Sequence, residues 1–135
     1  MNILVVDDNS IILNNLTVLL SAHGYFVNTA CHGLDASEAL VNNNFDLVII
    51  DHLMPIMNGI QLTKYIRQHE ILAGIPVIFM TTQGKSAVPY LCDIKMFDAI
   101  IDKPIEEQSF INLVNELLIP CLLYTSDAAD DLLCV

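Results

Sequence analysis

Tryptophan is absent from the chain, and only five of its 135 residues are basic and four are cysteine. Each scarcity excludes something. Sixteen acidic residues against five basic ones give a net charge of −11, which argues against a nucleic acid or an anionic membrane surface as a partner bound through this chain. The cysteines include no CxxC pair and no zinc-ligand spacing, so neither a disulfide framework nor a structural zinc site is on offer. Apolar runs are short, as at residues 3–6, 47–50 and 75–80, and none approaches the ~18 uninterrupted apolar residues of a membrane helix. The N-terminus has no basic stretch before its first apolar run and meets Asp7-Asp8 at once, so it does not read as a signal peptide. Yet 54% of the chain is apolar and 16% charged, which excludes disorder as the overall state. The expectation is one soluble, cytoplasmic domain.

Strand-like and helix-like patterns alternate through the first 120 residues. Ile-Leu-Val-Val at 3–6 is apolar and β-branched, as a strand buried on both faces requires. Asp8 or Asn9 can cap a following helix with Ile12, Leu16 and Leu19 on one stripe, and Gly24 closes it. The same reading predicts strands at 25–30, 47–50, 77–80 and 99–101, and helices at 34–41, 59–68, 89–95 and 105–118. Five βα units of this length imply a doubly wound α/β fold, with a five-stranded parallel sheet, right-handed crossovers and helices on both sides. In such a sheet, ligands bind at the carboxyl ends of the strands.

That rule turns scattered polar residues into a candidate site. Asp7 and Asp8 follow the first strand, Asp51 ends the third, Thr81 follows the fourth and Lys103 the fifth. Three carboxylates brought together repel and stay ionised only beside a cation. A few hard oxygen ligands completed by water suit Mg2+ better than zinc. Elsewhere the blander reading wins. Met54 and Met57 read as packing around Pro55, His52 as a solvated loop residue, and His23, His32 and His69 as surface residues. Cys31 and Cys92 read as small buried hydrophobes.

These pieces, in this order, resemble a two-component response-regulator receiver domain, chemotaxis regulators included. The matching motifs are Ile-Leu-Val-Val-Asp7-Asp8, Gly33-Leu-Asp-Ala, Asp46-Leu-Val-Ile-Ile-Asp51-His-Leu-Met-Pro-Ile-Met-Asn-Gly59, Pro76-Val-Ile-Phe-Met-Thr81 and Asp102-Lys103-Pro104. The resemblance covers residues 1–120 and implies a flavodoxin-like (βα)5 fold with the strand order 2-1-3-4-5 of such proteins. It further implies that Asp51 is the nucleophile that takes a phosphoryl group from a kinase histidine, forming a mixed anhydride. By the same resemblance, Asp8 and Asp51 would hold Mg2+, with the Leu53 backbone carbonyl as a third ligand and Asp7 acting through water. Lys103 would contact one phosphoryl oxygen, and Thr81 would hydrogen-bond another once attached. Pro104 matches the family's cis peptide. Such a domain is a phosphoacceptor that assists its own phosphorylation and dephosphorylation, and not a turnover enzyme. Its implied partners are a sensor histidine kinase or phosphotransfer protein, and an output domain or target protein reached through the fourth helix, fifth strand and fifth helix.

Two positions depart from the family pattern. Ile100 stands where the family usually has Tyr or Phe, so the switch set becomes Thr81 with an aliphatic partner. Thr82 is bulkier than the small residue often found there, and with Leu53 and Gln83 it bears on how water reaches the phosphoryl group. An aspartate-nucleophile phosphatase of the dehalogenase type also combines Asp, Thr, Lys and Mg2+, but wants an Asp-x-Asp motif after strand one, where this chain has Asp7-Asp8-Asn9. Finally, residues 121–135 resemble one translated frame of a transposon-based sequencing adapter and are expected to be a non-native tail. Without Asp127, Asp130 and Asp131, thirteen acids face five bases, a charge of −8.

Overall fold

The computed structural model describes residues 1–118; the expected non-native tail, 121–135, lies outside them. Residues 1–105 form one compact unit. In it, β1 (Asn2–Val6), β2 (Phe26–Ala30), β3 (Leu47–Asp51), β4 (Val77–Thr81) and β5 (Ala99–Asp102) build one parallel sheet in the order β2-β1-β3-β4-β5. The order and the parallel pairing are those expected. Every residue of β3 and β4 is buried, whereas β2, at the edge, is largely exposed. That difference is why the central strands read as unbroken apolar runs.

Side-chain alternation gives the sheet two faces. Leu4, Val6, Val48, Ile50, Val77 and Phe79 belong to one core cluster with Ala36 and Leu40 of α2 (Gly33–Asn42) and Leu62 and Ile66 of α3 (Gly59–Gln68). Ile3, Val5, Ile49, Ile78 and Met80 alternate with these and are equally buried. On that second side α1 (Ser10–Ala22) lies over β1 and β2, burying Leu16 and Leu20. At about 1.5–3 kcal/mol for each fully buried large side chain, both faces contribute heavily to stability.

The helix ends follow local chemistry. Asn9 caps α1, its side chain accepting from Ile11 and Ile12 N–H at 2.9 and 3.3 Å. At the other end Gly24 takes φ +89°, and the Tyr25 and Gly24 amides return to the Leu20 and Ser21 carbonyls. Asn58 and Gln61 cap α3 reciprocally, each backbone N–H reaching the other's side chain at 2.9 Å. His32 is more than a surface residue: its Nδ1 accepts the Asp35 N–H and caps α2.

Two expectations need correction. Residues 89–95 form no α-helix; the segment is two 3-10 turns, Lys85–Tyr90 and Ile94–Met96. Pro89 has no N–H for a helical bond, and the Asp93 side chain takes the Lys95 amide, so the ladder is cut twice. Cys31 is exposed, because it follows the edge strand, and Cys92 is only partly buried. The unit from Glu106 onward contributes α4 (Glu107–Leu118), the expected last helix, with Phe110, Ile111 and Val114 buried. The Glu106 carboxylate accepts the Gln108 and Ser109 amides at its start.

Candidate functional site

The site is built at the carboxyl ends of the strands by the same alternation that fills the core. Asp7 continues the Ile3, Val5 series and Asp51 the Leu47, Ile49 series, on neighbouring strands of matched register. Both carboxylates therefore emerge on one side, buried, while Asp8 is exposed beside them. Carboxylate oxygens of Asp7, Asp8 and Asp51 all lie within 4.8 Å of one another.

Lys103 binds two of the three. Its Nζ donates to Asp7 Oδ2 and to Asp51 Oδ1, at 2.9 Å each. The Lys103 N–H donates to the Thr81 carbonyl at 2.9 Å, and the peptide to Pro104 is cis, as the family pattern implied. Asp7 is further held by the Asn9 N–H on Oδ1 at 2.9 Å, which ties the carboxylate to the cap of α1.

The electrostatics follow from this packing. Burial pushes the Asp51 carboxyl above its ordinary range; the Lys103 hydrogen bond pulls it down, and the neighbouring Asp7 charge pushes it up again. Burial pulls the Lys103 ammonium down, but its bonds to Asp51 and Asp7 outweigh this and hold it above the usual value. A cluster that leaves an exposed Asp8 beside two buried carboxylates, with one ammonium among them, is short of positive charge. Hard oxygens at this spacing fit Mg2+, which is small and keeps several waters. Leu53 lies two residues past Asp51 in the loop, half exposed.

A glycine closes that loop onto the site. Gly59 N–H donates to the His52 carbonyl at 2.9 Å, and a Cβ at Gly59 would collide with the Asp51 carbonyl oxygen and come within 2.9 Å of the Phe79 ring. In between, Ile56 holds φ +70°, a left-handed conformation unusual for a β-branched residue.

Thr81 is wholly buried at the end of β4, one residue past Met80, the register partner of Asp51, and continues the alternation of Val77 and Phe79. Its Oγ1 accepts the Gln83 N–H at 3.0 Å and lies 2.9 Å from His52 Nδ1. Ile100 pairs with Phe79 across β4 and β5 and is half-buried against the same cluster. The solvated reading of His52 is thus wrong. The residue is only 4% exposed, its ring centroid lies 5.0 Å from that of Phe79, and burial lowers its proton affinity. A signal was available: residue 52 has the parity of Val48 and Ile50, both core residues.

Comparison with known proteins agrees with the geometry. The family described as response regulator receiver domain matches residues 3–115. A probable transcriptional regulator, ycf29, of Porphyra purpurea is 29% identical over 121 residues, covering 87% of this chain and 56% of that protein. The sensor histidine kinase RcsC of Escherichia coli is 37% identical over 105 residues, 78% of this chain and 11% of the kinase. Among solved structures, response regulator protein TrrA of Thermotoga maritima, crystallised with Mg(2+)-BeF, superposes with a TM-score of 0.78 at 29% identity, covering 87% of this chain and 98% of TrrA. The chain spans about half the length of the first of these relatives. Among the described residues, no helix is long and apolar enough to cross a membrane.

Proposed function

The chain belongs to the response regulator receiver domain family of two-component signalling, and from that membership we propose that Asp51 is its phosphoacceptor. One observation carries the reading: Asp51, buried at the end of β3, shares the Lys103 ammonium with Asp7 and lies beside Asp8. A carboxylate oxygen of Asp51 attacks the phosphorus of a phosphohistidine on a sensor kinase or phosphotransfer protein. The N–P bond breaks, the imidazole leaves, and an acyl phosphate remains on Asp51. Lys103 already touches Asp51 Oδ1, so its Nζ stands ready for the charge that arrives on the phosphoryl oxygens.

The three clustered carboxylates fit Mg2+ as the cofactor: Asp8 and Asp51 would hold it directly, the Leu53 carbonyl would be a third ligand and Asp7 would act through water. A bound cation would supply charge to offset that of the transferring group. Thr81 takes a phosphoryl oxygen by turning its hydroxyl from His52, and the change passes to the surface formed by β5 and the 3-10 turns before it, and thence to an output domain or target protein. In this reading the domain assists its own phosphorylation and dephosphorylation and works in the cytoplasm. Residues 1–120 make up the receiver, and 121–135 are a non-native tail.

Acetyl phosphate with Mg2+ tests the assignment. Intact-mass spectrometry is expected to show one added phosphoryl group on the native chain, none on Asp51→Asn, and none in excess chelator. Equal labelling of the native and Asp51→Asn chains would refute it.

A further inference from the structure

We propose that His52 is a positioning residue that holds the Thr81 hydroxyl in its resting place, so that the ring answering to Thr81 comes from the end of β3 and not from β5. The proposal rests on the phosphoacceptor reading of Asp51. Thr81 Oγ1 already accepts the Gln83 N–H at 3.0 Å, and His52 Nδ1 lies 2.9 Å away. A hydroxyl has one proton to give. Gln83 fills one of the oxygen's two acceptor sites, and we assign the hydroxyl proton to Nδ1, which places the imidazole's own proton on Nε2.

Burial makes the contact consequential. Thr81 is fully buried and His52 nearly so, so water does not readily replace a broken bond, and an orphaned buried polar atom is costly. The ring is also fixed in place. It lies against Phe79, which stacks on Phe97 with centroids 4.2 Å apart. Across the sheet from Phe79, position 100 supplies an isoleucine, which has neither a ring nor a polar atom.

A phosphoryl oxygen on Asp51 and the Nδ1 of His52 therefore compete for one proton. Each time Thr81 turns toward the phosphoryl group it leaves Nδ1 without its donor. His52 thus opposes the phosphorylated arrangement by about the net worth of one hydrogen bond, and the loss of that bond at Nδ1 marks the change.

Beryllofluoride with Mg2+, which takes the place of a phosphoryl group on a carboxylate, is the probe. Its affinity is measured on the full chain by NMR titration. His52→Phe keeps the ring and deletes the acceptor, and is expected to bind about fivefold more tightly, which is ~1 kcal/mol. His52→Asn, whose Oδ1 can stand near the lost Nδ1, is expected to stay within about twofold of native. In a Thr81→Ala background His52→Phe is expected to change nothing. Nitrogen-15 shifts of native His52 are expected to show Nδ1 unprotonated and Nε2 protonated. Unchanged or weaker binding by a folded His52→Phe, the same gain without Thr81, a fivefold gain in His52→Asn, or a protonated Nδ1 would each overturn the proposal. Absence of Asp51-dependent binding in the native chain would instead bring down the phosphoacceptor reading. The nitrogen shifts need no variant and no ligand, so they judge the bond in that case and where a substitution disrupts folding.

Discussion

Replacing Lys103 with methionine tests whether the ammonium holds the site together. In the native chain Nζ lies 2.9 Å from both Asp7 and Asp51, and the three side chains are 10%, 0% and 7% exposed. Removing one partner of a buried ion pair costs about 3–5 kcal/mol, because the charge left behind has lost its water. Here two carboxylates are left behind, so Lys103→Met is expected to lose that amount at pH 7 in metal-free buffer, read from urea unfolding by far-ultraviolet circular dichroism. The loss has a signature that a packing defect lacks. Without Lys103, the influences that push Asp51 upward, burial and the charges of Asp7 and Asp8, stand unopposed. A carboxyl raised in the folded state favours folding below its unfolded value of ~3.9 and loses that contribution as pH rises through its folded value. The gap between native and variant should therefore be widest at neutral pH and shrink toward pH 4. Mg2+ should narrow it too, because carboxylates freed of Lys103 bind the cation more tightly than the native pair, and each tenfold difference in Kd closes the gap by about 1.4 kcal/mol at saturating metal. A deficit under ~1 kcal/mol at pH 7, or one indifferent to both acid and Mg2+, would refute the reasoning.

Three further outcomes follow from the same packing. Asp51→Asn removes the carboxyl that burial raises, so the variant should melt above the native chain at pH 7, with the gain fading below pH ~4; a lower melting temperature at pH 7 would contradict it. Arg67 donates to the Met96, Ala73 and Ile75 carbonyls and to Asp98 at 2.6–3.0 Å. Arg67→Ala should cost about 2–4 kcal/mol in urea unfolding, discounted for the exposure of Asp98, while the folded fraction still labels at Asp51. Ile56 is 78% exposed at φ +70°, so Ile56→Gly should relieve a left-handed strain and raise stability by about 0.5–1 kcal/mol after glycine's entropic cost; a loss of stability would show that the exposed side chain is held by contacts of its own.

Most of this architecture was legible because its elements are pure cases. β1, β3 and β4 are buried on both faces, so unbroken apolar runs announced them, and their ends were right to within a residue. α3 was read to its exact bounds from apolar spacing, while the Asn58–Gln61 capping box that fixes its start went unread. Legibility failed where local and tertiary signals part. Residues 85–96 have apolar side chains at roughly helical spacing, yet Pro89 and the Asp93 cap prevent the bonds that the spacing suggests. The carboxylates and Lys103 could be assigned because strand ends are points that topology brings together. The Lys103 bond to both Asp7 and Asp51 could not, since it depends on how far a flexible side chain reaches across β4.

His52 was misread for a different reason, and the reason explains the site's design. Side chains alternate across the sheet, so Asp51 and His52, adjacent in sequence, leave β3 on opposite faces. Asp51 ends the series that includes Ile49 and meets Asp7; His52 continues the series of Val48 and Ile50, and one further step of the β3–β4 register sets it beside Thr81. A one-residue slip of β3 would exchange the two, sending a carboxylate into the core and an imidazole among the acids. Gly59 opposes that slip: its N–H holds the His52 carbonyl, and it approaches the Asp51 carbonyl more closely than any residue with a Cβ could. The loop therefore fixes at once which residue faces the acids and which faces Thr81. One step of chain at the end of β3 separates the carboxylate that meets Asp7 from the imidazole that meets the Thr81 hydroxyl at 2.9 Å.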